Sequence, residues 1–385
     1  MSGCTVYSQL IQIEHKVNIE RIKLTNYKSI RELDLTFGQI NIMIGGNGVG
    51  KSNLISYFKL LNRIINQNLS VYVARNGGAN SLLYFGRKVS QQVSSEIIFS
   101  NGSYRNAYSF TLEPDVEDRL YFSREHIGFD KGIGNWSRYP LGEGKTETQL
   151  FDYNRTDRGI GGPQGISHYI INAFKGLRLY HFHDTSDSAR VKQIGDVNDN
   201  RELREDASNL AAFLYKLKER HPASFQQIES TIRRVAPFFQ QFDLKPNELS
   251  PDKIRLEWRE KGSDEYFNAS SLSDGTLRMI CLVTLLLQPH PPDTIIIDEP
   301  ELGLHPTAIH LLASIIKSVA SRIQVIISTQ SVTLINQFLP EDLIVVERSD
   351  NQSVFRKIDS QELTVWLDEY ALGELWEKNV LGGRP

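Results

Sequence analysis

The run Gly45-Gly46-Asn47-Gly48-Val49-Gly50-Lys51-Ser52 carries the most specific chemistry in the chain. Its spacing fits G-x-x-x-x-G-K-[ST], the P-loop. A triphosphate carries several negative charges, so a loop that binds one must bring its backbone close and turn N–H groups inward. Glycine allows that approach and tolerates positive φ. A helix starting near Lys51 adds the positive end of its dipole. Gly45, Asn47, Gly48, Val49, Gly50, Lys51, Ser52 and Asn53 are therefore the expected binders of ATP. Lys51 would reach the β- and γ-phosphates, and the Ser52 hydroxyl would ligate Mg²⁺. A chance glycine-rich turn would have no reason to join an apolar strand to Lys-Ser and a helix.

Thr294 to Glu299 is an apolar strand ending in two acids, the Walker B arrangement. Asp298 can hold Mg²⁺ through water, and Glu299 can polarise an attacking water as general base. Just before it, Ser271-Leu272-Ser273-Asp274-Gly275-Thr276 opens a helix bearing Leu277, Ile280, Leu282 and Leu285. Taken alone, this is a capped helix start with Ser273 as N-cap. A helix N-terminus with Ser and Gly is also suited to gripping a γ-phosphate.

These groups need a scaffold. Ile40 to Ile44 reads as a buried strand feeding the glycine loop, and Leu54, Ile55, Phe58, Leu61, Ile64 and Ile65 recur behind it at helical spacing. Ile19 to Leu24 and Leu33 to Phe37 alternate at a strand's period. Residues 71–115 read as antiparallel, with turn signals at Gly77-Gly78 and Asn101-Gly102; Val93 to Phe99 and Tyr104 to Leu112 form a hairpin about the second. Residues 115–165 read as long loops with short strands, a surface insertion. Leu177 to His183 and Ile254 to Trp258 are strands, and Ala207 to Arg234 gives two helices parted at Pro222. Residues 271–348 alternate helix and strand like a parallel α/β sheet. The expected organisation is an N-terminal extension over 1–18, a first lobe over 19–115, an insertion and helical subdomain over 116–250, and a second lobe with a closing tail over 251–385. No heptad repeat is sustained, so no long coiled coil is expected.

Composition narrows the class. The 385 residues are 40% hydrophobic and 23% charged with net charge -3, an ordinary globular balance without a globally basic surface. Cys4 and Cys281 are far apart and imply neither a disulfide framework nor a metal cluster, which suits a reducing cytoplasm. No apolar run reaches membrane-spanning length, and the first residues lack the pattern of a signal peptide.

In sequence order these motifs resemble the SMC/RecF-like branch of ABC-type ATPases. The resemblance rests on Asn26-Tyr27-Lys28-Ser29-Ile30, the P-loop with Asn53, Leu272 to Thr276 at the place of an L-S-G-G-Q signature, the string Asp298 to Pro306, and Ser328-Thr329-Gln330-Ser331. It is nearest to the predicted "AAA family" ATPases of bacteria, relatives of OLD-type and RecF heads. It implies an α/β ABC-type head, with a mixed antiparallel and parallel sheet around the P-loop and an inserted subdomain. It also implies that two heads sandwich two ATP molecules, so Ser273 and Gly275 of one copy would face the P-loop of another. Lys51, Glu299 and Gln330 become the expected catalytic set, and Ser52 and Asp298 the metal ligands.

The sequence departs from the family pattern. Gln330 stands at the usual switch histidine; it can hydrogen-bond a γ-phosphate but cannot carry a proton. His305 occupies the place of the D-loop aspartate of transporter-type members. For the Q-loop glutamine, Gln91 and Gln92 are the candidates. His181-Phe182-His183-Asp184 has metal-like spacing but lacks further ligands, which favours a structural turn. Lys216, Lys218, Arg220, Arg233 and Arg234 read as a solvated helical face, while Lys28 and Arg31 are candidates for nucleotide or DNA contact.

Two readings of function follow. One is an ATP-hydrolysing dimeric switch in a DNA-related process such as antiphage defence or repair, read by nucleic acid or by a partner effector. The other is a nucleotide-binding scaffold that hydrolyses poorly and holds a separate nuclease or Toprim-like effector, since no Toprim acidic cluster follows residue 348. More than two hundred residues between P-loop and signature argue against a transporter subunit. The lack of an Asn-Lys-x-Asp motif argues against a GTPase.

Overall fold

A computed structural model describes residues 17–132, 134–155, 163–367 and 369–384. Nearly all of the expected N-terminal extension therefore lies outside the described residues. In chain order, strands β1 (Asn18–Tyr27), β2 (Ile30–Thr36) and β3 (Ile40–Ile44) lead into α1 (Lys51–Ile65) and α2 (Leu69–Arg75). Strands β4 (Val93–Ser100), β5 (Arg105–Pro114), β6 (Leu120–Asp130) and β7 (Ser137–Gly142) follow, then α3 (Leu150–Arg155), α4 (Pro163–Lys175) and β8 (Leu177–Tyr180). A middle section holds β9 (Gly195–Asp196), α5 (Leu210–Arg220), α6 (Pro222–Val235), β10 (Phe239–Phe242), β11 (Lys253–Ile254), β12 (Glu257–Glu260) and β13 (Tyr266–Asn268). The last section holds α7 (Asp274–Leu287), β14 (Thr294–Asp298), α8 (Pro306–Val319), β15 (Gln324–Thr329), α9 (Val332–Ile335), β16 (Leu343–Ser349), β17 (Gln352–Lys357), α10 (Ser360–Leu367) and α11 (Leu372–Glu377).

Two six-stranded sheets result. One is antiparallel, in the order β2-β1-β4-β5-β6-β7; the other runs β17-β16-β3-β15-β14-β8 and is parallel except at β17. The inner strands of the second sheet are apolar on both faces, as a covered parallel sheet requires. Ile42, Ile44, Ile295, Ile297, Val325 and Ile327 face a core shared with α5 to α8. Met43, Ile296, Ile326 and Ile344 face the other core, shared with α1, α4 and the antiparallel sheet. Gln324, 1% exposed, joins the sheets: Oε1 accepts from the Ile19 N–H and the Thr294 hydroxyl, and Nε2 donates to the carbonyls of Ile19 and Gly38.

Four expectations are corrected. Residues 69–75 are helical, so Gly77-Gly78 ends a helix rather than joining strands. The stretch read as loops contains β6, of 11 residues, and β7, which complete the antiparallel sheet. Their alternation is hard to read because the β5–β6 register shifts between Thr111 and Leu112. This bulge leaves Ser123 as the extra residue, so apolar positions move from Leu120 and Phe122 to Ile127. The strand through His183 stops at Tyr180, and Ile254 to Trp258 divides between β11 and β12. The hairpin about Asn101-Gly102 and the helix break at Pro222 match expectation.

Candidate functional site

Ridges of chemistry gather where parallel strands end. β15 lies between β3 and β14, with Ile44 beside Thr329 and Asp298 beside Ser328. The loop after β3, the acids closing β14 and Gln330 after β15 therefore meet at the carboxyl edge of one sheet, the usual place for a ligand in such a fold.

The loop is shaped by backbone contacts. Gly50 has φ of 115° and stands at the N-terminus of α1, which has no side-chain cap and no acid in its first turn. A Cβ at Gly50 would collide with the Ser353 hydroxyl, and one at Gly45 with the Val346 carbonyl. Lys51 is 5% exposed and donates to the carbonyls of Gly45 and Gly46 (2.9 Å to the latter). Burial lowers its pKa, while the charges of Glu299, Asp298 and Glu301 pull it back up. Ser52 is exposed. Asn53 donates to the Ser29 hydroxyl (2.6 Å), which also meets Ser353.

Across the edge, Glu299 has a left-handed backbone, φ 42°, and its N–H donates to the Ser328 carbonyl. Gln330 spans the gap: Nε2 donates to Asn47 Oδ1 (2.9 Å) and to Glu299 Oε1 (2.8 Å). A carboxylate can only accept, so the contact with Glu299 fixes which way this amide points. Behind it, Glu301 Oε1 accepts from the Thr329 hydroxyl (2.5 Å) and the Gln330 N–H (3.3 Å).

The Ser273 loop is built separately. Ser273 caps α7 by accepting from the Thr276 N–H (3.2 Å), as the capping pattern predicts. Gly275 packs against backbone, for a Cβ there would lie 2.4 Å from the Gly303 carbonyl oxygen. Farther along α7, Arg278 is 4% exposed and donates to the carbonyls of Phe182, His183 and Leu302. His183 in turn hydrogen-bonds the Asp298 carbonyl through Nε2 (2.8 Å). One buried guanidinium thus ties α7 to the loop leaving β8 and to the turn beyond Glu299. Among the described hydrogen bonds and ion pairs, none joins Ser273 or Gly275 to the Gly45–Ser52 loop.

A family profile described as "AAA domain, putative AbiEii toxin, Type IV TA system" matches residues 40–336, well over half of the chain. The chain belongs to this AAA-domain family. It is also similar to the Old nuclease of Escherichia phage P2, at 23% identity over 385 residues covering 90% of this chain. The chain spans 62% of the length of that relative. Among solved structures, an Smc head bound to the C-winged-helix domain of ScpA superposes with TM-score 0.57 at 16% identity, covering 89% of this chain and 99% of that one. An Smc head with an extended coiled coil from Pyrococcus furiosus, bound to the C-terminal domain of ScpA, gives TM-score 0.56 at 15% identity, covering 92% and 99%. The chain thus has the α/β fold of Smc heads, and no long coiled coil appears among the described residues.

Within this AAA-domain protein, the other candidates fall as follows. Lys28 has φ of 50° and its ammonium lies 5.7 Å from the Tyr27 ring centroid, while Ser29 makes the contact with Asn53. Arg31 is exposed on β2. Gln91 and Gln92 are exposed before β4, in the other sheet; the strand beside β14 is β8, and its exit presents His183. His305 caps α8 through Thr307. His181 and His183 do not form a metal cluster; among the described residues no group of three or more ligating side chains does. Of the basic run, Lys216 donates to the Arg201 carbonyl and Arg233 to the Gln240 carbonyl, as a structural face would. No helix among the described residues is long and apolar enough to cross a membrane.

Sequence reasoning did not single out Ser353 or Arg278, and it named Ser29, His183 and Glu301 only within longer runs, without these contacts. It also gave no role to the closing tail, where the Gly383 carbonyl accepts from the Gly46 N–H (2.8 Å). Only Glu301 had a local signal, a third acid beside Asp298 and Glu299. The rest depend on strand adjacency and long-range packing.

Proposed function

We propose that this protein is an ATP-hydrolysing head that dimerises around two ATP molecules and switches a partner effector. The observation that carries the reading is the convergence of Lys51, Asp298, Glu299 and Gln330 at one sheet edge, with Gln330 joining Asn47 to Glu299. The donor set fits a triphosphate and a divalent cation. An uncapped helix start, left-handed glycines and a buried lysine suit the phosphates, and the Ser52 hydroxyl with the Asp298 carboxylate offers the oxygen ligands that Mg²⁺ prefers. When bound, Mg²⁺ neutralises phosphate charge.

In this reading Lys51 leaves the Gly45 and Gly46 carbonyls to hold phosphate oxygens. Glu299 takes a proton from the attacking water, and Gln330 releases Glu299 while keeping its amide near the γ-phosphate. Because the Gln330 amide cannot take up a proton, Glu299 must act alone as base. Ser273 and the N-terminus of α7 would grip the γ-phosphate held by the other copy, making ATP the adhesive between heads. Differential binding of ATP to the closed dimer supplies the free energy of the switch.

The partner would be a nuclease or Toprim-like effector in an antiphage or DNA-repair setting. Similarity to a protein named Old nuclease supports that choice. A second reading, a scaffold with slow hydrolysis, is favoured by the hydrogen bond that holds Glu299 to Gln330. Steady-state ATPase assays with and without DNA separate the two. Turnover by wild type, lost about a hundredfold or more in Glu299→Gln with ATP binding kept, supports the switch. Equal turnover in both would remove Glu299 from the chemistry.

A further inference from the structure

Glu301 follows Pro300 in the turn after β14, two residues beyond Glu299. Its side chain reaches back to the neighbouring strand end. Oε1 accepts two hydrogen bonds, from the Thr329 hydroxyl and from the Gln330 N–H. Thr329 is fully buried and its Oγ1 also accepts from the Ser331 N–H (2.9 Å), so one carboxyl organises the whole Thr329–Ser331 turn. Oε2 is buried and has no hydrogen-bond partner among the described residues. Burial raises the pKa of this carboxyl; its hydrogen bonds oppose the shift and the nearby Glu299 adds to it.

A carboxyl buried with one oxygen unpartnered is costly. The groups it serves are those that aim Gln330. We propose that Glu301 is a positioning residue for ATP hydrolysis, holding the Thr329–Gln330 turn so that the Gln330 amide meets Glu299 and Asn47. It acts through its acceptor oxygen, not through charge, because both donors converge on Oε1 and neither is cationic. This inference rests on the hydrolytic reading of the same site.

The test compares wild type, Glu301→Ala and Glu301→Gln in two measurements: steady-state ATPase kinetics, and hydrogen exchange at the Gln330 amide. Removing the acceptor should lower kcat about tenfold, the usual scale for a lost hydrogen bond that leaves its donors unpaired, with KM changed less than about twofold. Exchange at Gln330 should quicken in Glu301→Ala. Glu301→Gln, which keeps an acceptor oxygen, should restore both. Should Glu301→Ala fail to fold, Thr329→Val removes the other donor to Oε1; loosening the carboxyl that accepts from Gln330 should still quicken exchange there, and unchanged exchange overturns the proposal. The proposal is overturned if Gln330 exchange is unchanged in Glu301→Ala, or if Glu301→Gln loses as much turnover as Glu301→Ala. If wild type hydrolyses no ATP, the hydrolytic reading fails by itself, and the exchange data still decide whether Glu301 holds the turn.

Discussion

The edge formed by β3, β14 and β15 and the N-terminus of α7 make an instructive pair. At the edge, loops from residues 45–52, 298–301 and 329–330 touch one another through side chains, and the Gln330 amide joins the other two by donating to both Asn47 and Glu299. At α7, Ser273 is satisfied by Thr276, and Gly275 rests on Gly303. The first region is assembled within one chain. The second is rigidly held, with its helix N-terminus available, yet none of its described hydrogen bonds reaches the first. Such an arrangement suits a site completed by another copy, and Arg278 offers a route by which the two regions could inform each other through His183 and Asp298.

The contrast can be broken at its first member. Lys51→Ala removes the buried cation of the edge and should weaken ATP binding by roughly a hundredfold, given the strength of charge-assisted hydrogen bonds to phosphate. Isothermal titration checks this, and unchanged affinity would take Lys51 out of the site. The second member is sharpened by Gly275→Ala. Its Cβ would meet backbone at 2.4 Å, so we expect a loss of about 1–3 kcal/mol in stability, typical of overpacking. Thermal unfolding would show the loss, and ATP binding by the monomer should persist because the edge is built independently. Smallest is the effect at Cys281, a buried residue of α7 whose thiol is pushed by burial up to about 12. A thiol reagent should leave Cys281 unmodified in the folded protein and react with it only on unfolding; rapid native labelling located at Cys281, and not at Cys4, would show that α7 is not packed as described.

Local residue order revealed the edge better than anything else. Gly45 to Ser52 and Asp298-Glu299 are each contiguous, and their strands are apolar runs, so both motif and element are legible locally. Glu301, Arg278 and His183 act across strands, and which strand neighbours β14 is a property of the sheet. That is why Gln91 and Gln92 were plausible on paper while His183 holds the place beside Asp298. The β6 strand was hidden by its bulge, and α2 by a Gly-Gly pair that serves equally well after a helix as within a hairpin.

The decisive measurement is the mass of the particle formed in ATP and Mg²⁺ by a Glu299→Gln protein, with and without Ser273→Arg. Analytical ultracentrifugation of the first should show ATP-dependent dimers. The Ser273→Arg protein should bind ATP and stay monomeric. Dimers that form equally well with Ser273→Arg, or a Glu299→Gln protein that remains monomeric while saturated with ATP, would contradict a nucleotide shared between two copies.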